Sequence, residues 1–232
     1  MLDQTQHVIS TEFRREGHDA LVVWTDEEDL QAVLPTLGYA RRADREFVRP
    51  FPLRAVTPTI YRRFSACVGR LLGHAARREP PPWEESLERL HRLLGAEGIE
   101  WMLGGSAALT IRGVAVTPRD IDFVVADHQA TARALADFLI EPPLRSGGRW
   151  IAEWFGRAWT GTRIEWAAKT RPDLDDHEWT SDIGPTAVAR AEAVRWHDLH
   201  FRVAPLDLQL AVNQERGLHD RVRAIEAVTR ET

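Results

Sequence analysis

The chain has 232 residues, 44% of them hydrophobic and 28% charged, with a net charge of −5. This is ordinary for a soluble globular protein with a real core, and it fits one large domain or two small ones. Cys67 is the only cysteine, which excludes an internal disulfide and a cysteine-rich zinc site. No apolar run approaches the roughly 18 residues of a membrane helix. Met1–Ser10 has no basic start leading into an apolar stretch, so a cytoplasmic location is the expectation.

The net charge hides an asymmetry. Residues 1–40 carry two Arg and eight Asp or Glu, residues 41–78 carry ten Arg against Asp44 and Glu46, and residues 81–232 are acidic again. The Arg-rich 41–78 segment is compatible with contact to RNA phosphates, and equally with a solvated helix face.

Residues 1–80 are expected to form an accessory module. Leu21–Trp24 is a short β-prone run. Asp26-Glu27-Glu28 places acids where a helix dipole favours them, and that helix should run towards Leu37 and stop at Gly38. Glu46–Val48 suggests a strand broken by Pro50 and Pro52. From Pro58 a helix is predicted, because Ile60, Phe64, Cys67 and Leu71 recur at three- and four-residue steps.

Pro80-Pro81-Pro82 marks a boundary, since three prolines cannot continue a helix. A helix follows from Trp83, with Leu87, Leu90 and Leu94 on its stripe, and feeds a strand at Glu100–Leu103. After Gly104-Gly105, Ser106–Ile111 suits a short helix ended by Gly113. Ile121–Val125 reads as a strand. Ala132, Leu135, Ala136 and Leu139 mark a helix closed by Pro142-Pro143. Trp150–Phe155 and Thr162–Ala167 are strand candidates separated by Gly156 and Gly161, and Ala191–Trp196 and His200–Val203 form a second pair. Two helices complete the chain, Leu206–Glu215 and one striped by Leu218, Val222, Ile225 and Val228.

The chemistry concentrates in the middle. Asp120 and Asp122 are separated by one residue, so on a strand both carboxylates leave the same face. Adjacent carboxylates repel unless a cation lies between them, and Mg²⁺ is commonly shared between carboxylates and phosphates. Gly104 and Gly105 remove side chains where a strand turns into a helix, a place suited to phosphate, and Ser106 adds a hydroxyl. A third acid, Glu165, lies in an otherwise apolar strand candidate and would complete a two-metal site, with Glu153 as its competitor. Trp101 and Trp166 flank the site in sequence and are candidates for stacking on a nucleobase.

Leu-Gly-Gly-Ser, a short helix, Gly113, Thr117, Arg119, Asp-Ile-Asp-Phe and a later lone acid together resemble the nucleotidyltransferase superfamily of the DNA polymerase beta type. The likeness spans about residues 99–168 and points most to small bacterial members, the aminoglycoside nucleotidyltransferases and AbiEii-type toxins. It implies an α/β (α+β) fold with a mixed sheet flanked by helices, over residues 81–232, with C-terminal helices. It implies transfer of a nucleoside monophosphate from an NTP to a hydroxyl acceptor, either a small molecule or an RNA or protein in a toxin–antitoxin setting. Asp120, Asp122 and Glu165 would be catalytic and hold Mg²⁺, two ions in all. Gly104, Gly105 and Ser106 would hold the triphosphate, with Arg119 and Lys169 beside it. One departure stands out: the Lys usual in the helix after the core of AbiEii-like proteins is missing from Leu206-Asp207-Leu208-Gln209, while Arg216 and Asp220 remain. Lys169 and Arg171 would supply that charge. The alternative is a catalytically inactive, partner-binding member of the fold.

Overall fold

The computed structural model describes residues 9–146, 152–170 and 182–231. They form two compact units. One holds residues up to Pro80 together with Leu139–Pro142, and the other holds Pro81–Phe138 and Pro143 onwards.

The first unit contains a four-stranded antiparallel sheet in the order β1-β2-β4-β3. Its strands are β1 (Ser10–Arg15), β2 (Asp19–Trp24), β3 (Ala40–Arg41) and β4 (Glu46–Phe51). Leu21, Val22 and Val23 of β2 are fully buried. The predicted helix after Asp26 is shorter than expected. α1 covers only Glu28–Val33, a single 3-10 turn follows over Pro35–Leu37, and Gly38 closes that turn at φ 86°. β4 does not break at Pro50. β3 pairs only with Phe47 and Val48, so no described strand lies along that edge at Pro50, where a missing N–H is tolerated. α2 (Pro58–Ala75) begins as its sequence dictates, with Pro58 in the first turn and the Thr57 hydroxyl accepting from the Ile60 N–H at 3.2 Å. Its predicted stripe, Ile60, Phe64, Cys67 and Leu71, is buried.

The second unit is a mixed α/β structure around a seven-stranded sheet, ordered β10-β11-β5-β6-β9-β8-β7. In chain order the elements from Pro81 onwards are α3 (Trp83–Ala96), β5 (Trp101–Leu103), α4 (Gly105–Ile111), β6 (Asp120–Val125), α5 (His128–Ala134), β7 (Leu139–Arg145, whose first four residues count with the first unit), β8 (Ala152–Trp159), β9 (Arg163–Thr170), α6 (Pro185–Ala189), β10 (Glu192–Trp196), β11 (Leu199–Val203), α7 (Leu206–Glu215) and α8 (His219–Glu231). β6 is antiparallel to β5 and parallel to β9, and β8 and β9 form an antiparallel hairpin. Leu87, Leu90 and Leu94 of α3 are fully buried. Met102, Val124, Ala167, Ala204 and Leu208 join one core cluster, and Ile225 of α8 packs with Leu109 and Val114 in another.

Two expectations fail here. The helix predicted to run to Leu139 stops at Ala134, and Leu139–Arg145 is a strand through both prolines. β7 is the last strand of its sheet, where proline is tolerated because one edge needs no donor. Gly156 lies inside β8 rather than in the hairpin connection. There it faces Trp166, whose indole fills the space a side chain would take: a Cβ on Gly156 would lie 1.8 Å from the ring. The start of that strand candidate, Trp150 and Ile151, falls outside the described residues.

Candidate active site

The parallel register of β6 and β9 sets Asp120 beside Arg163 and Asp122 beside Glu165. Strand alternation then sends all four side chains to one face. The three acids each offer a carboxylate oxygen, and these oxygens lie within 4.8 Å of one another. Three hard oxygen donors at that spacing suit Mg²⁺, so the residues present fit the cation that the sequence suggested.

The Gly104-Gly105 turn lies directly against this cluster. The Gly104 N–H donates to the Asp122 carbonyl at 2.8 Å, which ties the end of β5 to β6. Gly105 has φ +58°, and a Cβ there would stand 2.4 Å from Asp122 Oδ2. Both the backbone angle and the space demand glycine. From α7, the Gln209 side-chain amide donates to the Gly105 carbonyl at 3.0 Å and braces the turn.

Two arginines balance the acids. Arg163 is ion-paired with Asp120, and its Nε lies 3.7 Å from Glu165. Arg157, the cross-strand neighbour of Glu165 on β8, donates from Nε to Glu165 Oε1 at 2.6 Å and also contacts it through Nη2. Burial works against the Arg163 charge, but Glu165 and Asp120 outweigh it and raise its pKa. Among the described residues Asp122 makes no such ion pair, though the Arg163 charge also acts on it. Burial, reinforced by the charges of Asp120 and Glu165, holds its carboxyl well above the usual range.

A pocket of about 180 Å³ opens from Asp122 and Glu165 towards Phe155, Ile183, Asp182 and Arg216. Asp182 is only 6% exposed, and its Oδ1 has no hydrogen-bond partner among the described residues. Burial raises its pKa, with Arg216 opposing.

The remaining expected residues lie around this centre. Ser106 is buried in the first turn of α4, and its carbonyl accepts from the Thr110 hydroxyl at 2.9 Å. Arg119 is half-buried immediately before β6. Lys169 is exposed, in the left-handed region at φ 53°, and its charge acts on His128 and Glu153. None of the three lines the pocket. Glu153 is ion-paired with Arg145, whose hydrogen bond lowers its pKa, and it sits four residues along β8 from Arg157, about 13 Å at strand spacing. It is Glu165, not Glu153, that meets the two aspartates. Trp166 is a core residue, 1% exposed, that also lines the pocket, and Trp101 packs edge-on to Phe123 and Phe201. Arg171 lies outside the described residues.

Sequence reading missed the pairing of Arg157 and Arg163 with the acids, and the places of Asp182 and Gln209. Arg163 had a signal, since it shares the strand parity of Glu165. Arg157 depends on the register of the β8–β9 hairpin, and the places of Asp182 and Gln209 on contacts between distant segments.

No protein-family model and no curated protein matches the chain. Among solved structures, the chain is similar to TM1012 from Thermotoga maritima, assigned as a nucleotidyltransferase, at 20% identity and TM-score 0.48, over 65% of this chain and 94% of that one. It is also similar to the lincosamide antibiotic adenylyltransferase LnuA in its lincomycin-bound form, at 11% identity and TM-score 0.45, over 62% of this chain and 97% of that one.

Proposed function

We propose that the second unit is a Mg²⁺-dependent nucleotidyltransferase that moves a nucleoside monophosphate from an NTP to a hydroxyl, releasing pyrophosphate. The observation that carries this reading is the convergence of Asp120, Asp122 and Glu165 on one face, with the side-chain-free Gly105 turn against them.

Asp120, Asp122 and Glu165 would hold the cations. When bound, these would neutralise the triphosphate and favour departure of pyrophosphate. The residues of the chain supply position. The Gly104-Gly105 turn and the start of α4 offer backbone N–H groups and close approach to phosphate. The Gly104–Asp122 and Gln209–Gly105 hydrogen bonds fix that turn relative to the carboxylates. Positioning of this kind is the main demand of phosphoryl-type transfer. The pocket reaching to Asp182 gives the substrate a partly apolar chamber beside the acids. The first unit serves as an accessory module, and the exposed Arg42, Arg45, Arg54, Arg62 and Arg77 would suit an RNA acceptor.

The experiment is incubation of the chain with each labelled NTP and Mg²⁺, in parallel with tRNA, cell protein and an aminoglycoside panel. Transfer that disappears in Asp120→Ala with Asp122→Ala supports the proposal. Absence of both transfer and NTP binding refutes it. A non-catalytic, partner-binding role is the second reading, favoured by the arginines that already engage two of the three carboxylates.

A further inference from the structure

The two arginines beside the carboxylates pose a physical problem. A divalent cation among Asp120, Asp122 and Glu165 must compete with guanidinium groups for the same oxygens: Arg163 on Asp120, with Glu165 at 3.7 Å, and Arg157 on Glu165 at 2.6 Å. Three carboxylates against two guanidinium groups leave one formal negative charge. A single divalent cation reverses that sign, and a second makes the cluster strongly positive. The side chains of Arg157 and Arg163 are only 10% and 16% exposed, so solvent screens this poorly.

The arginines cannot simply leave. Each is rooted in an interior strand on the same face as the acids, Arg163 two residues before Glu165 and Arg157 directly across from it. A guanidinium displaced from its carboxylate therefore remains within one side-chain length of the cation. A polyphosphate is the ligand whose charge completes the cluster. Its oxygens match the forked donors of arginine as a carboxylate does.

We propose that Arg157 and Arg163 are a polyphosphate-binding pair held in reserve on the carboxylates, so that divalent cation and triphosphate bind strongly only together. In the absence of nucleotide the arginines neutralise the acids and disfavour the bare cation. When metal and polyphosphate arrive together, Asp120 and Glu165 turn to the metal, and the released guanidinium groups turn to the phosphate oxygens. The pair gates occupancy of the site and positions the triphosphate. This rests on the nucleotidyltransferase reading for the identity of the polyphosphate, and not for the coupling itself.

The test uses Mn²⁺ as a paramagnetic substitute for Mg²⁺ and inorganic tripolyphosphate as the polyanion, on the full chain. Free Mn²⁺ is followed by electron paramagnetic resonance, and binding of the preformed Mn²⁺–tripolyphosphate complex by calorimetry. For Arg157→Gln and Arg163→Gln the two affinities should move in opposite directions. Bare Mn²⁺ should bind about tenfold tighter or more, because a competing charge a few ångströms away is gone, and the complex about tenfold weaker. Arg163→Lys, which keeps charge but not the fork, should fall between. Thermal unfolding of each variant identifies any that fails to fold, and Arg163→Lys then carries the comparison. Affinities that fall together, or that do not change, overturn the proposal. Opposite shifts with neither NTP binding nor nucleotidyl transfer would refute the proposed reaction and leave the coupling standing. Transfer lost in Asp120→Ala alongside parallel shifts would do the reverse.

Discussion

Gly105 and Asp122 share a space that only glycine leaves open. A Cβ on Gly105 would lie 2.4 Å from Asp122 Oδ2, and the Gly105 backbone is in the left-handed region at φ +58°. Gly105→Ala should therefore cost about 1–2 kcal/mol from the backbone angle alone, and should also push Asp122 from the other two acids. The expected result is a lowered melting temperature together with weaker Mn²⁺ binding. Unchanged metal affinity in a folded variant would separate the turn from the carboxylate site.

Among the described residues Asp122 has no arginine ion pair of the kind Asp120 and Glu165 have, and burial together with those two acids outweighs the nearby Arg163 and disfavours its charge. Without metal, Asp122→Asn should raise stability by about 0.5–2 kcal/mol, as relief of strain at a functional site does, while it abolishes divalent-cation binding. Glu153→Gln, at the competing acid, should leave cation affinity unchanged. Parallel melting curves and Mn²⁺ titrations of the two variants check both statements.

Trp166 sits where Gly156 has no side chain. A Cβ on Gly156 would come within 1.8 Å of the indole, which is 1% exposed. Gly156→Ala must displace the ring or separate β8 from β9, at a cost of about 1–3 kcal/mol or more. A fall in melting temperature with a shift in tryptophan emission is expected. Because Trp166 adjoins Glu165 in β9, the variant should also weaken cation binding secondarily.

Asp19, fully buried in the first unit, is hydrogen-bonded by Arg15 at 2.7 Å and by the Val56 N–H at 2.8 Å. The Arg15 hydrogen bond outweighs burial, and with the backbone donors it lowers the carboxyl pKa from 3.8 to about 2. A lowered folded-state pKa means that the unfolded chain binds the proton first as pH falls. The stabilisation is complete above the unfolded value and is lost between about pH 4 and pH 2. Asp19→Asn should be less stable than the parent at pH 6, and the difference should shrink towards pH 2. Asp19→Ala, which leaves the Val56 N–H unsatisfied, should cost about 1–3 kcal/mol. Chemical denaturation across that pH range measures both.

Some of this was legible in the sequence because it depends on near neighbours. Strand alternation put Asp120 and Asp122 on one face, three- and four-residue steps marked the buried stripes of α2 and α3, and α4 ended just before Gly113 as expected. Position in a sheet is different, because it depends on pairing across long stretches of chain. Pro142 and Pro143 looked like a helix end until β7 proved to be the last strand of its sheet. Glu165 and Glu153 both read as acids in strands, and only the parallel register of β9 on β6 set Glu165 opposite Asp122. The same register brought Arg163 to Asp120, and the β8–β9 hairpin brought Arg157 to Glu165. The sequence by itself determined which carboxylates could share a face, since side-chain alternation is a local property of the backbone. Which of them meet, and which positive charges meet them, was decided by tertiary pairing, since hydrogen-bonded register joins segments that no local periodicity relates.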